Sequence, residues 1–144
     1  MIFVDTSAIY AYFDADEDDH ARVLAAWEGL LDAGAPLLTT NYVLTESVAV
    51  LQRRLGMPWV RKLHDLMVPE LRLVWIDQGI HERAMRALLL QDRRRVSLVD
   101  CACFEVMRDQ GIRQVLSLDA HFAEAGFEVL PGALPEGEQD GEGE

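Results

Sequence analysis

Four acidic side chains are the residues of this 144-residue sequence best suited to do chemistry together. They are Asp5 in FVDTSA, Glu46 in NYVLTES, Asp100 in SLVDCA and Asp119 in SLDAHF. Asp5 and Asp119 each follow a short apolar run that is typical of a buried strand. Glu46 and Asp100 each lie early in a segment with helical periodicity. If the strands are parallel neighbours, all four carboxylates meet at one edge of the sheet.

Such a group of carboxylates needs positive charge. Two carboxylates 5 Å apart repel each other by roughly 3 kcal/mol at an effective dielectric constant near 20, and four multiply that cost. Either some of the acids are protonated or a divalent cation lies among them, and Mg²⁺ or Mn²⁺ suits oxygen ligands best. Zinc would prefer His or Cys. The histidines show no metal-ligand spacing, and only His121 falls near the acids; surface positions are expected for His20, His64 and His81.

The elements that must position these acids alternate along the chain. Apolar runs predict strands near residues 1–4, 37–40, 71–76, 115–118 and 128–130. Helical spacing predicts helices near 6–13, 23–31, 41–55, 58–68, 79–90 and 97–110, and a short helix from about 120. Thr6 and Ser7 are expected to cap the first helix, and Ser97 the sixth. This alternation predicts an α/β domain with a mainly parallel sheet of about five strands flanked by helices.

Ligands of open α/β sheets bind beyond the carboxyl ends of the strands, where the strand order reverses. Asp5 and Asp119 follow two such carboxyl ends. Glu46 and Asp100 fall in the first turns of two helices, where the helix dipole favours negative charge. The topology therefore predicts that one site contains all four acids.

Composition and charge divide the chain into two parts. Its length and its 50% hydrophobic content suffice for one core, which we expect in a single domain over residues 1–130. Residues 131–144 contain five acids and no base and are rich in Gly and Pro, so we expect an acidic disordered tail. The formal net charge is −12 for the whole chain and −7 without this tail. That balance argues against a broad basic platform for nucleic acid.

Local clusters of basic residues can still bind an anionic substrate. Twelve of the thirteen basic residues are Arg, which binds phosphate through two parallel hydrogen bonds. Arg93, Arg94 and Arg95 directly precede Ser97 and Asp100, so they are the predicted substrate-binding residues. The alternative is that these three arginines occupy a solvated loop or form salt bridges between subunits.

Cysteine usage and hydropathy bear on the compartment. Cys101 and Cys103 are two residues apart on a predicted helix and point to different faces, so we expect buried free thiols and neither a disulfide nor a zinc site. The N-terminal MIFVDTS has no basic leader, and no apolar run approaches the ~20 residues that span a bilayer. We therefore expect a cytoplasmic protein with no membrane partner.

The same acidic motifs carry a resemblance to a known family. The N-terminal strand ending in DTSA, the VLTE segment around Glu46, the SLVD helix start and the SLDAHF segment around Asp119 occur in family-like order and spacing. With these motifs the chain resembles the PIN-domain family, specifically the small single-domain, Rossmann-like kind represented by VapC toxins of toxin-antitoxin systems. The resemblance covers residues 1 to about 130.

What the resemblance implies is a metal-dependent ribonuclease that hydrolyses phosphodiester bonds of RNA. Asp5, Asp100 and Asp119 would hold Mg²⁺ or Mn²⁺, and Glu46 would complete the acidic pocket. Serines at two positions of the family support these acids, and they correspond to Ser7 and Ser117. Some relatives have a further acid at the position of His121, so a second tightly held metal is not expected here.

The resemblance also implies two protein partners. VapC toxins form homodimers through helices beside the active-site groove, and a cognate antitoxin on a separate chain places its C-terminal segment in that groove. Residues 43–55 and 58–68, with Trp59, Leu63 and Leu66, are candidates for these apolar surfaces. The alternative is that their side chains pack in the core.

Three other functions were compared with this one. A haloacid-dehalogenase-like phosphatase needs a second acid two residues after Asp5, where this chain has Ser7. A receiver domain needs paired early acids and a late Lys, and the only Lys is Lys62. The third alternative is a catalytically weak PIN-like module that binds RNA or protein, and nothing in the sequence excludes it. Each acid alone also has a structural explanation as a helix cap, a turn or an exposed residue.

Overall fold

Five short strands form one sheet, and all neighbouring strands are parallel. The structure is a computed structural model, and it describes residues 1–132. The strands are β1 (Ile2–Val4), β2 (Leu37–Thr40), β3 (Arg72–Val74), β4 (Gln114–Leu116) and β5 (Glu128–Leu130). Their spatial order is β3-β2-β1-β4-β5. Parallel neighbours require crossover connections, which the helices supply.

Helices connect the strands, as the alternating pattern predicts. They are α1 (Thr6–Phe13), α2 (His20–Asp32), α3 (Asn41–Arg54), α4 (Met57–Lys62), α5 (Gln78–Gln91), α6 (Leu98–Gln110) and α7 (Ala120–Glu124). Helix α1 packs against α2 and α3, and α5 packs against α6. The predicted α/β fold class with a parallel five-stranded sheet is confirmed.

The core lies on the central strands. Every residue of β1 and β2 is buried, whereas the edge strands β3 and β5 contain exposed residues. Phe3 and Val115, on the two innermost neighbours, are completely buried and lie side by side in register. Continuous apolar strands of this kind are typical of parallel sheets covered on both faces.

The strand order reverses between β1 and β4. From β1 the chain adds β2 and then β3 on one side, and it returns to the other side of β1 for β4 and β5. Val4 and Leu116 are paired at the carboxyl ends of the two strands, and the Asp5 N–H donates to the Leu116 carbonyl at 3.0 Å. Residues that follow these two strands therefore meet at the switch point.

Two predicted elements differ from the observed ones. The helix predicted over 58–68 is the short α4, followed by a π-helical turn (Leu63–Met67) and a 3₁₀ turn (Val68–Glu70). Pro69 explains why the helical segment does not continue beyond the 3₁₀ turn, because proline lacks a donor and clashes with the preceding turn. The strand predicted over 71–76 shrinks to β3, since Asn41 Oδ1 accepts the Ile76 N–H at 2.6 Å and so takes that donor away from sheet pairing.

Three further expectations concern thiols, length and the tail. Cys101 and Cys103 are buried and free, as predicted. Within residues 1–132, no helix combines the length and the apolar composition that crossing a bilayer requires. The predicted acidic tail, apart from Pro131 and Gly132, lies outside the described residues.

Candidate active site

All four predicted acids line one cavity of about 390 Å³ at the carboxyl ends of β1 and β4. We call it the acidic cavity. It is lined by Asp5, Thr6, Ser7, Tyr10, Glu46, Ala49, Val50, Arg53, Arg54, Asp100 and Asp119. Strand ends supply one wall, and helices α1, α3 and α6 supply the others. The structure thus brings together the residues that the sequence placed on four separate segments.

Asp5 is the most deeply buried acid of this cavity, and two serine hydroxyls hold it. Ser7 Oγ donates to Asp5 Oδ2 at 2.8 Å, and Ser117 Oγ donates to the same oxygen at 3.0 Å. Each hydroxyl also accepts a backbone N–H at 2.9 Å, Ser7 from Leu118 and Ser117 from Asp119. The two serines therefore join Asp5 to the turn that carries Asp119, which is the supporting position predicted for them.

Asp5 also caps α1, which corrects one expectation. The sequence predicted Thr6 and Ser7 as the capping residues, but Asp5 is the N-cap, with the Ser7 N–H at 3.4 Å from Asp5 Oδ2. The reason is that the strand ends at Val4, so Asp5 is the last residue with extended backbone and Thr6 is already helical. The Ser7 hydroxyl is then free to bridge the two strand ends.

The burial of Asp5 opposes its charge. The pKa of Asp5 is raised to about 6: burial is the largest cause, the hydrogen bonds from Ser7 and Ser117 offset it only partly, and the nearby charge of Asp100 adds to the rise. Low-dielectric surroundings favour the neutral acid unless a cation is close. Without a bound cation, the site therefore lacks the positive charge that would stabilise its ionised acids.

The Cys103 thiol on α6 is close enough to the same acids to be affected by their charge. Burial, and after it the charges of Asp5, Asp100 and Glu46, raise the pKa of Cys103 well above its ordinary value. These three acids hence act on one point of α6. Cys103 itself is an inert packing residue, because a thiol reacts as its thiolate.

Asp100 is positioned by the start of α6. Ser97 Oγ accepts the Asp100 N–H at 3.1 Å, and Asp100 Oδ2 accepts the Ser97 N–H at 3.0 Å, which completes a capping box. The reciprocal bonds satisfy two of the helix's free N–H groups and fix the Asp100 carboxylate. The predicted N-cap is confirmed, and the cap also explains how a charged residue is held there while buried.

Asp119 lies with Asp100 and His121 in a compact group of possible ligand atoms. Each of the three residues offers one atom, and these atoms lie within 4.8 Å of one another. His121 Nδ1 is 3.0 Å from Asp119 Oδ1 and 3.4 Å from Asp100 Oδ2. The sequence placed His121 only near the site, because a histidine two residues after an acid has no recognised ligand spacing. Asp5 was predicted in place of His121; it lines the cavity but is outside this compact group.

Glu46 lies on the α3 wall, and two arginines follow it on the same helix face. Glu46, Val50, Arg53 and Arg54 all line the acidic cavity. Their spacing of three and four residues is the reason that they share a face. The Arg54 guanidinium lies 5.3 Å from the centre of the Tyr10 ring, within the range of a cation–π contact. The sequence showed Arg53 and Arg54 as a basic cluster, but only their positions on α3 showed that they line the acidic cavity.

The arginines predicted to bind substrate lie elsewhere. Arg93, Arg94 and Arg95 are exposed in the connection between α5 and α6, and none of them lines the acidic cavity. Arg93 Nη2 donates to Glu124 Oε2 at 3.1 Å. Their role in binding substrate stays a prediction: α6 runs away from the loop that holds them, and Arg93 lines a neighbouring cavity together with His121.

The donor set fits a divalent metal ion. Carboxylate oxygens are the ligands of Mg²⁺ and Mn²⁺, and imidazole is a ligand of many first-row metals. A bound cation would offset the cost that raises the pKa of Asp5 and would give a partner to the buried His121 Nδ1, which has no hydrogen bond within the described residues. Asp100, Asp119 and His121 could therefore hold a metal ion, with Asp5 and Glu46 close by.

Comparisons with known proteins agree with this geometry. The PIN domain family model matches residues 2–128. The 23S rRNA-specific endonuclease VapC20 of Mycobacterium tuberculosis is 34% identical over 135 residues, which are 91% of this chain and 99% of that protein. Ribonuclease VapC26 of the same organism is 30% identical over 124 residues, covering 85% of this chain and 90% of the relative.

A solved structure extends the likeness to three dimensions. The crystal structure of Mycobacterium tuberculosis VapC20, described as a sarcin-ricin loop cleaving toxin, superposes with a TM-score of 0.78 at 32% sequence identity. The match covers 88% of this chain and 96% of that structure. From the family match, the relatives and the shared fold, this chain belongs to the PIN-domain family, as a member of its VapC ribonuclease group.

Proposed function

We propose that this protein is a toxin ribonuclease that uses Mg²⁺ or Mn²⁺ to hydrolyse a phosphodiester bond of structured RNA. The convergence of four acids on one cavity carries the proposal. The first candidate substrate is the sarcin-ricin loop of 23S rRNA, since this chain spans 99% of the VapC20 endonuclease and is similar to it over that whole length.

Each residue of the site has a role in this proposal. Asp5, Asp100 and Asp119 would hold the cation, directly or through water, with Asp5 on the buried side of the cavity. Ser7 and Ser117 keep the Asp5 carboxylate pointing into the cavity. Glu46 completes the acidic wall. When bound, the divalent cation supplies positive charge that activates a water for in-line attack and offsets the charge that builds on the phosphate oxygens.

The RNA backbone would enter along α3. Arg53 and Arg54 line the acidic cavity on the same helix face as Glu46. Seven residues of helix separate Glu46 from Arg53, which is about 10 Å at 1.5 Å per residue. Guanidinium groups at that distance are suited to grip a phosphate beside the one being cleaved. Arg93, Arg94 and Arg95 form a second basic contact for RNA, farther from the acids.

Two protein partners belong to the proposal. A second copy of the chain would cover an apolar groove of about 440 Å³, lined by Asn41, Leu44, Thr45, Val48, Leu63, His64, Val68, Leu73 and Trp75. An antitoxin on a separate chain would silence the enzyme by placing a basic residue among the acids. Leu66 and Trp75 support the dimer because both are large, apolar and about two-thirds exposed, at 68% and 69%.

Two further calls from the sequence are kept as proposals. Residues 1–130 form the nuclease domain, and 131–144 form an acidic tail. The protein acts in the cytoplasm, where ribosomal RNA is found and where Cys101 and Cys103 would stay reduced.

The test is cleavage of a synthetic sarcin-ricin hairpin by the purified full-length chain after metal removal with EDTA. We expect no cleavage without metal and cleavage on adding Mg²⁺ or Mn²⁺. Asp100→Asn should lower the cleavage rate by at least about a hundredfold, because the removed charge holds the cation that offsets the charge on the reacting phosphate. Asp92→Asn, in the exposed loop after α5, is a charge-matched control that should cleave like the original chain.

Thermal unfolding separates this function from the alternative of a weak binding module. Metal that binds the folded state at a hundred times its Kd stabilises it by about 2.7 kcal/mol. We expect Mn²⁺ to raise the unfolding temperature of the original chain and to leave that of the Asp100→Asn variant unchanged. Cleavage in EDTA would contradict the metal mechanism, and metal binding and RNA binding without any cleavage would favour the module.

A further inference from the structure

His121 places a buried ring nitrogen beside the acids of the site. The proposed carboxylate ligands do not explain why this nitrogen lies there. His121 Nδ1 lies 3.0 Å from Asp119 Oδ1 and 3.4 Å from Asp100 Oδ2. Despite these short distances the atom is buried and makes no hydrogen bond within residues 1–132. A buried polar atom without a partner costs about 1–3 kcal/mol. A cation bound between the ring and the two carboxylates would give this nitrogen a partner.

The two facing oxygens already have donors of their own. Asp119 Oδ1 accepts the backbone N–H of His121 at 2.9 Å, and Asp100 Oδ2 accepts the Ser97 N–H at 3.0 Å. The ring is thus not needed to satisfy either carboxylate. These backbone bonds instead hold both oxygens in place opposite the ring nitrogen. The result is a preformed arrangement of two oxygens and one nitrogen.

The separations match neighbouring positions around a six-coordinate ion. Mg²⁺-sized octahedral sites have metal-ligand distances of about 2.0–2.1 Å, so adjacent ligands are about 3 Å apart. The 3.0 Å and 3.4 Å contacts of Nδ1 fall at and just above that value. One ion can hence touch all three residues after small side-chain adjustments, and each of the three offers an atom to this group.

We propose that His121 Nδ1 is a direct ligand of the cation held by Asp100 and Asp119, and that this nitrogen shifts the site's preference from Mg²⁺ towards Mn²⁺ and Co²⁺. The inference rests on the proposed metal-dependent function and deepens it. Mg²⁺ prefers an all-oxygen shell, whereas imidazole favours transition metals, whose affinities rise from Mn²⁺ to Co²⁺. Neutral His121 binds through Nδ1 and keeps its proton on Nε2. The ring lines a separate cavity of about 290 Å³, whose wall includes Glu124 and the cationic Arg93 and Arg108.

The first experiment detects the nitrogen directly. The full-length chain is loaded with Mn²⁺ at less than one equivalent, and electron spin echo envelope modulation is recorded. We expect ¹⁴N modulation from a bound imidazole. His121→Asn should lose this signal, and His20→Asn, at the start of α2 and outside both the acidic cavity and the apolar groove, should keep it. Mn²⁺ bound with no ¹⁴N coupling in the original chain would overturn the proposal.

The second experiment measures preference by calorimetry of Co²⁺ and Mg²⁺ binding to metal-free protein. His121→Asp keeps a ligand but makes it oxygen. The ratio of Co²⁺ to Mg²⁺ affinity should fall by at least about tenfold, since loss of even an outer-shell partner of a ligand costs 10–100-fold in affinity. An unchanged ratio would contradict the proposal. Thermal unfolding of each variant in EDTA verifies that it is folded.

These measurements separate this inference from the proposed function. If the original chain binds no Mn²⁺ at millimolar concentration, the metal-dependent function fails and the His121 assignment fails with it. If Mn²⁺ binds and RNA is cleaved, but ¹⁴N coupling is absent, only the His121 assignment fails. Nitrogen coupling without cleavage would leave the ligand assignment standing and contradict the catalytic role.

Discussion

At the scale of single residues, the buried charge of Asp5 lowers the stability of the protein but serves its proposed function. The Asp5 carboxylate is nearly inaccessible, at 4% exposure, and its pKa is raised to about 6 chiefly by burial. Ser7 and Ser117 donate to one oxygen only, so the charge is stabilised incompletely. A buried acid of this kind lowers the stability of the metal-free protein at neutral pH, and it supplies the negative charge that attracts a cation.

The first prediction follows from the raised pKa of Asp5. Because the folded-state pKa of Asp5 lies near 6 and the unfolded value near 3.8, the folded state binds more protons between these pH values. The contribution of Asp5 to the free energy of unfolding should then fall as pH rises from about 4 to 6, by about 3 kcal/mol in total. Asp5→Asn should therefore make the protein more stable at pH 7 in EDTA.

Urea unfolding between pH 4 and 7.5 in EDTA measures this effect. The difference between the original chain and Asp5→Asn isolates Asp5 from the other acids. We expect the two curves to diverge as pH rises and then to run parallel above pH 6.5. Curves that stay parallel throughout would contradict the predicted titration of Asp5.

At the scale of elements, helix starts position the acids. Asp100 is fixed by the capping box with Ser97, and Asp119 caps α7, with its Oδ1 accepting the His121 N–H. Both carboxylates thus serve local structure and also face the cavity. The structural explanation of these two acids, which the sequence left as an alternative, is confirmed by the caps, and it is compatible with the functional role that we propose for them.

The second prediction tests the cap of α6. Ser97→Ala removes the hydroxyl that accepts the Asp100 N–H, and it should lower the free energy of unfolding by about 1 kcal/mol. It should also weaken Mn²⁺ binding, because the Asp100 carboxylate loses its fixed orientation. Asp77→Ala is the matched control, since Asp77 caps α5 by accepting the Ile80 N–H at 2.9 Å. Urea unfolding and calorimetry should give an equal stability loss but unchanged metal affinity for this control.

The third prediction concerns the cavity face of α3. Replacing Arg53 and Arg54 with Gln should weaken binding of the RNA hairpin and reduce the slope of log affinity against log salt by about 1–2, as expected for one or two lost phosphate contacts. Fluorescence anisotropy in Ca²⁺ from 50 to 300 mM salt measures both.

The matching control decides between the two basic clusters. Arg94 and Arg95 are replaced with Gln in the exposed loop after α5. We expect the smaller loss of RNA affinity from this double variant, because neither residue lines the acidic cavity. A larger loss than that caused by the α3 variant would restore the loop as the main RNA contact.

At the scale of the whole molecule, helix α3 borders two surfaces with different chemistry. The acidic cavity lies at the carboxyl ends of the strands, and the apolar groove includes Leu73 and Trp75 at the β3 edge. Exposed apolar side chains near a strand edge are a liability unless a partner covers them. A dimer would cover this groove.

The fourth prediction tests that partner. Trp75→Gln should shift the chain from dimer to monomer in sedimentation equilibrium at micromolar concentration, because it removes the largest exposed apolar side chain of the groove. Leu90→Gln is the control: Leu90 is 83% exposed on α5 and does not line the groove. A monomeric original chain, or equal effects of the two substitutions, would contradict dimerisation through this groove.

The sequence by itself determined the alternation of strands and helices and the acids that end or begin them. Residues 37–40, 98–110 and 128–130 were predicted with their observed limits, because a buried apolar run, a serine cap and a glycine stop are local signals. The convergence of Asp5 and Asp119 also followed, since parallel strands bring their carboxyl ends to one edge. Local chemistry and one rule of topology sufficed for these features.

Only the tertiary structure decided which side chains lie together at the site. His121 joins Asp100 and Asp119 in one compact group of ligand atoms, whereas none of Arg93, Arg94 and Arg95 lines the acidic cavity, although these arginines come shortly before Asp100 in the sequence. The reason is the direction of the chain at each position. The turn after β4 brings the His121 ring next to Asp100, whereas α6 leads Asp100 into the site and away from the exposed loop that contains the three arginines. Distances between side chains on different elements depend on how those elements pack, and no local pattern encodes that packing.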